Sequence, residues 1–145
     1  FLEPGDTLTL TYQAKVSDGH GDFGLQPLTI SIAGNGSPIV IGSAQDDTFD
    51  HVGGGAAIFG LGGNDTFVFN PHFGSAIIAD FNVNKDVLEL DHSLFGPSVQ
   101  DVLNSAHAAN ANHDTVLLDA AHETITLKGV TLAQLTAHQN DFHIV

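Results

Sequence analysis

The chain has 145 residues, 17 acidic side chains against 3 basic ones, and a formal charge of −14. So acidic a surface argues against nucleic acid and anionic membranes as partners and suits a chain that takes up cations. There is no cysteine, which removes disulfides and thiolate metal sites. The longest apolar runs are only a few residues, too short for a signal peptide or a membrane span. Protonating all nine histidines would move the formal charge from −14 to −5, so surface electrostatics depend on pH near ~6. The sequence opens on Phe1 rather than Met and reads as a piece of a longer protein, long enough for one domain with a real core or two small modules.

Residues 1–38 read as two strands and their links. Leu8, Leu10 and Tyr12 alternate with Thr7, Thr9 and Thr11, and Leu28, Ile30 and Ile32 alternate with Thr29 and Ser31; both stretches have the period of two of a half-buried strand. Ser17-Asp18-Gly19-His20-Gly21 is turn chemistry between them, and Gly34 to Pro38 is a linker. The phrase PGDTLTLTYQAKVSDGHGD…LTISIAGNG resembles the end of a VCBS-type or cadherin-like repeat from large bacterial surface proteins. That resemblance implies an N-terminal hairpin from a sandwich-like repeat, since a hairpin alone is marginal in water.

Gly42 to Val68, cut every nine residues, reads GSAQDDTFD, HVGGGAAIF, GLGGNDTFV. The eighth place is Phe49, Ile58 and Phe67, with Val40 nine residues earlier; the sixth is Asp47, Ala56 and Asp65. Each unit pairs a turn with a short strand, so two units complete a coil, and coils stack ~4.8 Å apart. Asp47 and Asp65, 18 residues apart, then share one edge, one rung apart, within reach of a single ion with ligands at ~2.3–2.6 Å. Gly42, Gly60, Gly62 and Gly63 are expected to let the turns curl so that backbone carbonyls point inward. The expected ligand set is Asp47 and Asp65 with Gly42, Ala44, Gly60 and Gly62, an oxygen cage that suits calcium better than magnesium or zinc. The other edge looks empty: Ala56 stands where an Asp belongs, and above it comes Gly74 in strict register or Ala76 after a longer turn. Asp80 either ligates a terminal ion or caps a turn, while Asp46 and Asn64 are expected to face water. The stretch resembles the calcium-binding nonapeptide of RTX (repeats-in-toxin, hemolysin-type) proteins, with departures at Gln45, His51, Val52 and Ala76.

After residue 76 the repeats stop. Strands are expected at 76–81 and 86–90, a short turn or helical piece at 92–95, and a helix from the N-cap Ser98, with Asp101 in its first turn, to about Ala109. Residues 110–113 read as a loop. A hairpin is expected at 114–118 and 123–127, its turn at Asp119 to His122 lacking the family's usual glycine. Thr131 to Gln134 fits a capping box opening a last helix. Asp86, Glu89 and Asp91 read as a solvated strand edge. The phrases GGNDTFVFNPHFG, IADFNVNKDVLEL, DTVLLD, ETITLKGVTLAQL and DFHIV resemble the module that follows RTX repeats in proteins exported by type I secretion. The resemblance implies an export signal at Asp141, Phe142, Ile144 and Val145, a role compatible with a plain terminal strand.

No histidine pair has HxH or HxxxH spacing, His122-Glu123 lacks the second histidine of a zincin, and Phe73 to Ala76 is not a nucleophile elbow. No active site emerges. The expected fold is mainly β: a short parallel β-roll (β-solenoid) at 39–81, an α+β cap at 82–145, and the hairpin at 1–38. The expected function is a non-enzymatic calcium-binding C-terminal module of a secreted or surface-attached bacterial RTX adhesin-like protein. Its expected partners are calcium, the type I secretion apparatus and, through a longer parent, a cell-surface or extracellular ligand. The alternatives are the non-catalytic tail of an exported hydrolase, lyase or epimerase, and a solenoid cap that needs no metal.

Overall fold

A computed structural model describes residues 7–17, 23–33, 38–50 and 54–145. Contacts divide the chain into two units, Phe1–Ser37 and Pro38–Val145. In the first, β1 (Thr7–Ser17) and β2 (Phe23–Ala33) pair antiparallel, with Leu8 opposite Ile32, Leu10 opposite Ile30 and Tyr12 opposite Leu28. Directly opposite residues share a face, so the alternation read from sequence collects these six apolar side chains on one side of the ribbon. The expected turn falls mostly at 18–22 and the linker at 34–37, outside the described residues.

In the second unit short strands follow one another as β3 (Ile39–Ile41), β4 (Thr48–Phe49), β5 (Ala56–Phe59), β6 (Thr66–Phe69), β7 (Ser75–Ile78) and β8 (Val87–Leu90). Successive strands alternate between two sheets, β3, β5 and β7 in one and β4, β6 and β8 in the other, all parallel to their neighbours. Val40 lies opposite Ile58 and Phe49 opposite Phe67, each one double repeat of 18 residues on. The next lap is looser: Ile58 meets Ile78 and Phe67 meets Leu88. The eighth places Phe49, Ile58 and Phe67 point inward and are buried, as are Ile78 and Leu88 above them. The Phe49 and Phe67 rings stack with centroids 5.0 Å apart, a pairing that adds ~0.5–1.5 kcal/mol beyond the area buried.

The rest of the chain extends both sheets. It supplies α1 (His92–Phe95), α2 (Val99–Ser105), β9 (Ala106–Ala109), β10 (Asp114–Leu118), β11 (Thr124–Leu127), α3 (Leu132–Ala137) and β12 (Phe142–Ile144). The sheet orders are β3-β5-β7-β11-β10-β9 and β12-β8-β6-β4. The mainly β architecture with parallel sheets agrees with the sequence; the expected capping box forms at Thr131 with Gln134, and the expected N-cap Ser98 forms a capping box with Asp101. The helix from Ser98 ends at Ser105 rather than near Ala109. Residues 106–109 instead pair antiparallel with β10, strand hydrogen bonds outweighing the helical preference of alanine. The strand expected at 76–81 is Ser75–Ile78. The loop at 110–113 is a tight turn with Asn110, Ala111 and Asn112 all at positive φ.

Candidate metal centre

Three turns lie along one edge of the second unit, each leading from the first sheet to the second: 42–47, 60–65 and 79–86. Backbone hydrogen bonds stack them. Gly42 N donates to Phe59 O at 2.8 Å, Gly62 N to Ser43 O at 3.1 Å, Thr66 N to Asp47 O at 2.9 Å and Val87 N to Asp65 O at 2.8 Å. Asp47 and Asp65 thus sit one rung apart on one edge, as the 18-residue spacing predicts.

The carboxylates form a column. Asp47 Oδ2 accepts from Ser43 N at 2.7 Å and Ser43 Oγ at 2.9 Å, folding back over its own turn. Asp65 Oδ1 accepts from Asp47 N at 3.0 Å. Asp86 repeats the relation one rung further, its Oδ1 accepting from Asp65 N at 3.1 Å and its Oδ2 from Asn82 N at 2.8 Å. Asp80 caps the middle turn with both oxygens, accepting from Gly60 N at 2.9 Å and Leu61 N at 3.0 Å, the turn-capping alternative. Asp46 and Asn64 are exposed and bond to each other, Asn64 N donating to Asp46 Oδ1 at 2.7 Å.

Glycine is needed at 42 and 60 for room. A methyl group on Gly42 would meet Gly60 O at 2.7 Å and Asp47 Oδ2 at 2.9 Å, and one on Gly60 would run into the Asp65 carboxylate. Of the four glycines expected to let the turns curl only Gly63 has positive φ, and in the same turn Leu61 adopts the left-handed region. Ala44 and Gly62 face each other across the two turns, 3.9 Å from the Ala44 Cα to where a Gly62 side chain would begin.

Asp65 is 2% exposed and Asp86 5%. Burial holds the Asp65 carboxyl above the ordinary 3.8, and the charges of Asp86, Asp47 and Asp80 push the same way, while the Asp47 N–H opposes them. Burial and the like charges around it both favour neutralising Asp65, by a proton or by a cation. Around Gly42 the converging donors are carboxylate and carbonyl oxygens, the chemistry of a hard divalent ion, so the residues fit calcium. Among the described residues no group of three or more His, Cys, Asp or Glu side chains is close enough to hold a metal. An ion here would therefore draw on backbone carbonyls such as Gly60 O as well as Asp47 and Asp65.

Sequence reading missed Asp86, which was assigned with Glu89 and Asp91 to a solvated strand edge. Asp86 is buried in the column, and Asp91 caps α1 through Ser93 N at 2.8 Å. The signal was present in the phrases Asp65-Thr-Phe-Val-Phe and Asp86-Val-Leu-Glu-Leu, but a lap of 21 residues took it out of nine-residue register.

On the opposite edge Ala56 lies opposite Ala76, both 1% exposed, so the longer turn is the one used; residues 51–53 of that edge are outside those described. The acid there comes from the C-terminal hairpin. Glu123 Oε1 accepts from Gly74 N at 3.0 Å, and Asp119 Oδ1 accepts from Glu123 N at 2.7 Å. In the tail, Phe142 is 5% exposed and Val145 57%, while Ile144 is half-buried in β12. Burial raises the Asp141 carboxyl above its ordinary range.

Neither a family profile nor a curated protein matches the sequence. Among solved structures the chain is similar to the extracellular lipase LipA from Serratia marcescens, at 18% identity and a TM-score of 0.46. The match covers 93% of this chain and 26% of the lipase, so the chain spans about a quarter of that protein's length. No helix among the described residues is long and apolar enough to cross a membrane.

Proposed function

We propose that residues 39–81 are a calcium-binding β-roll of the RTX type, capped by residues 82–145. In this reading the chain is the non-catalytic C-terminal module of a secreted or surface-attached bacterial adhesin-like protein. A type I secretion system exports it through a signal that includes Asp141, Phe142, Ile144 and Val145. The observation that carries the reading is the stacking of Asp47 and Asp65 one rung apart, with Gly42 leaving a space bounded by Gly60 O, Asp47 Oδ2 and the Phe49 ring.

Asp47, Asp65 and the Gly60 carbonyl would hold the ion, which supplies the positive charge the column lacks. Asp80 and Asp86 fix the middle turn through its backbone N–H groups. Where calcium is scarce, repulsion among the carboxylates loosens the stacked turns and leaves the chain threadable. Where calcium is plentiful, binding adds folding free energy, because the cage does not exist in the unfolded chain.

Calcium titration of the chelator-treated chain, followed by calorimetry and circular dichroism, tests this. Saturable binding with Kd ~10⁻⁴–10⁻³ M, the range of extracellular modules, is expected together with a gain in β signal. Asp47→Ala and Asp65→Ala should each weaken binding. A chain that folds equally well in chelator and takes up no calcium overturns the proposal, and loss of binding in Asp65→Ala alone overturns the pairing.

A further inference from the structure

The hairpin of β10 and β11 carries a second pair of acids, on the opposite edge of the unit. His122 N donates to Asp119 O at 3.2 Å and Asp119 N to Glu123 O at 3.1 Å, closing the turn with His122 at positive φ. Glu123 then divides its carboxylate. Its Oε1 accepts from Gly74 N at 3.0 Å, whereas Oε2 is buried with no hydrogen-bond partner among the described residues. Asp119 is 7% exposed, and its Oδ1 accepts from Glu123 N at 2.7 Å. Among the described residues no Lys, Arg or His side chain forms an ion pair with either carboxylate.

Both acids line a cavity of about 200 Å³, whose other walls include Pro71, Leu94, Ala120 and Ala121. Leu94 is buried, while Pro71 and the two alanines are exposed at the mouth. Burying a carboxylate oxygen without a donor is costly, and a proton donor or a cation offsets that cost. The walls discriminate between cations. A calcium ion needs many oxygen ligands, the apolar walls supply none, and no group of three or more His, Cys, Asp or Glu side chains gathers among the described residues. An organic cation on an alkyl stem matches both halves of the cavity, its stem against the apolar walls and its head on the carboxylates. A guanidinium matches best, because its planar fork of N–H donors can serve two carboxylates and is less strongly hydrated than an ammonium.

We propose that this cavity binds an alkylguanidinium group, its charge met by Glu123 and Asp119 and its stem packed on Leu94, Pro71 and the two alanines. The group belongs to a free solute or to an arginine side chain of another polypeptide; the chemistry recognised is the same. Because Glu123 already holds the N–H of Gly74, the occupied site fastens the turn before β7 to the hairpin. It lies on the opposite edge from Asp47 and Asp65 and requires no cation there.

Titration of butylguanidinium into the full chain in millimolar calcium, followed through the amide resonances of Gly74 and Glu123, tests this. Saturable binding with Kd ~10⁻³ M is expected, in keeping with so small a ligand. Glu123→Gln keeps an oxygen for Gly74 N and should weaken binding about tenfold or more. Ala121→Leu, at an exposed position, should block the cavity and abolish binding, with the fold of both variants checked by circular dichroism. A peptide with one arginine among alanines separates the sources: binding tighter than that of butylguanidinium assigns the site to a partner chain, and weaker binding assigns it to a solute. Unchanged affinity in either variant overturns the proposal, as does the absence of saturable binding. Further calcium should leave Kd unchanged; a Kd that rises in proportion to calcium gives the cavity to a divalent ion and overturns the proposal as well.

Discussion

Asp65→Asn is the substitution whose effect should change sign with calcium. The asparagine oxygen keeps the acceptor for Asp47 N, now at 3.0 Å from Asp65 Oδ1. What is lost is one negative charge, at a position 2% exposed and surrounded by Asp47, Asp80 and Asp86. In chelator two terms compete. Replacing a charge-assisted hydrogen bond by a neutral one costs ~0.5–1.5 kcal/mol, and relief of burial and like-charge repulsion offsets it. The variant should therefore be about as stable as the parent, or more so.

In calcium the balance reverses. An ion at ten to a hundred times its Kd stabilises the parent by ~1.4–2.7 kcal/mol, and the variant forgoes most of that. For a domain of ~100 residues this corresponds to ~10 °C in melting temperature. Thermal unfolding followed by circular dichroism, with both proteins in chelator and in calcium, gives the four values needed. Asp46→Asn is the control, because Asp46 is exposed and caps Asn64. Equal destabilisation of Asp65→Asn in both conditions would refute the reasoning and leave Asp65 as a turn cap with no cation to hold.

Gly42→Ala should destabilise the second unit by ~1–3 kcal/mol in urea unfolding, because its methyl group would meet Gly60 O at 2.7 Å and the Phe49 ring at 2.8 Å; unchanged stability would show that the two turns are not packed this closely. The N–H of Gly129, and then the Lys128 ammonium, hold the Asp114 carboxyl below its ordinary 3.8. A depressed carboxylate contributes stability above its unfolded value and loses it as pH falls through the folded one. Stability should therefore drop below pH 3.8, and Asp114→Asn should flatten that limb equally with and without calcium, measured as urea midpoint against pH.

The parts legible in the sequence were those governed by period. Alternation in residues 7–12 and 28–32 gives the hairpin, and the apolar residue every nine gives Phe49, Ile58 and Phe67 as inward neighbours. The 18-residue separation places Asp47 over Asp65. What period could not show was any contact that depends on loop length. The turn before β7 adds two residues and residues 79–86 add one to the lap between Asp65 and Asp86, enough to hide a buried carboxylate behind the look of a solvated strand. The strand at 106–109 was hidden for another reason. Its alanines suit a helix locally, and only the free edge of β10, brought close by the fold, draws them into a sheet.

These misses bear on how the edge works. The sequence repeat ends with Asp65, yet the stacking relation does not, because Asp86 accepts from Asp65 N as Asp65 accepts from Asp47 N. The middle turn is consequently held from both sides, by a repeat unit below and by a non-repeating turn above. Asp80 and Asp86 together take the N–H groups of Gly60, Leu61 and Asp65, which orients the carbonyls of that turn without any ion present. A two-turn array would otherwise have to order its backbone as it bound metal. Here the cap has already ordered one of the two turns, so the calcium response should depend as much on residues 79–90 as on the repeats themselves.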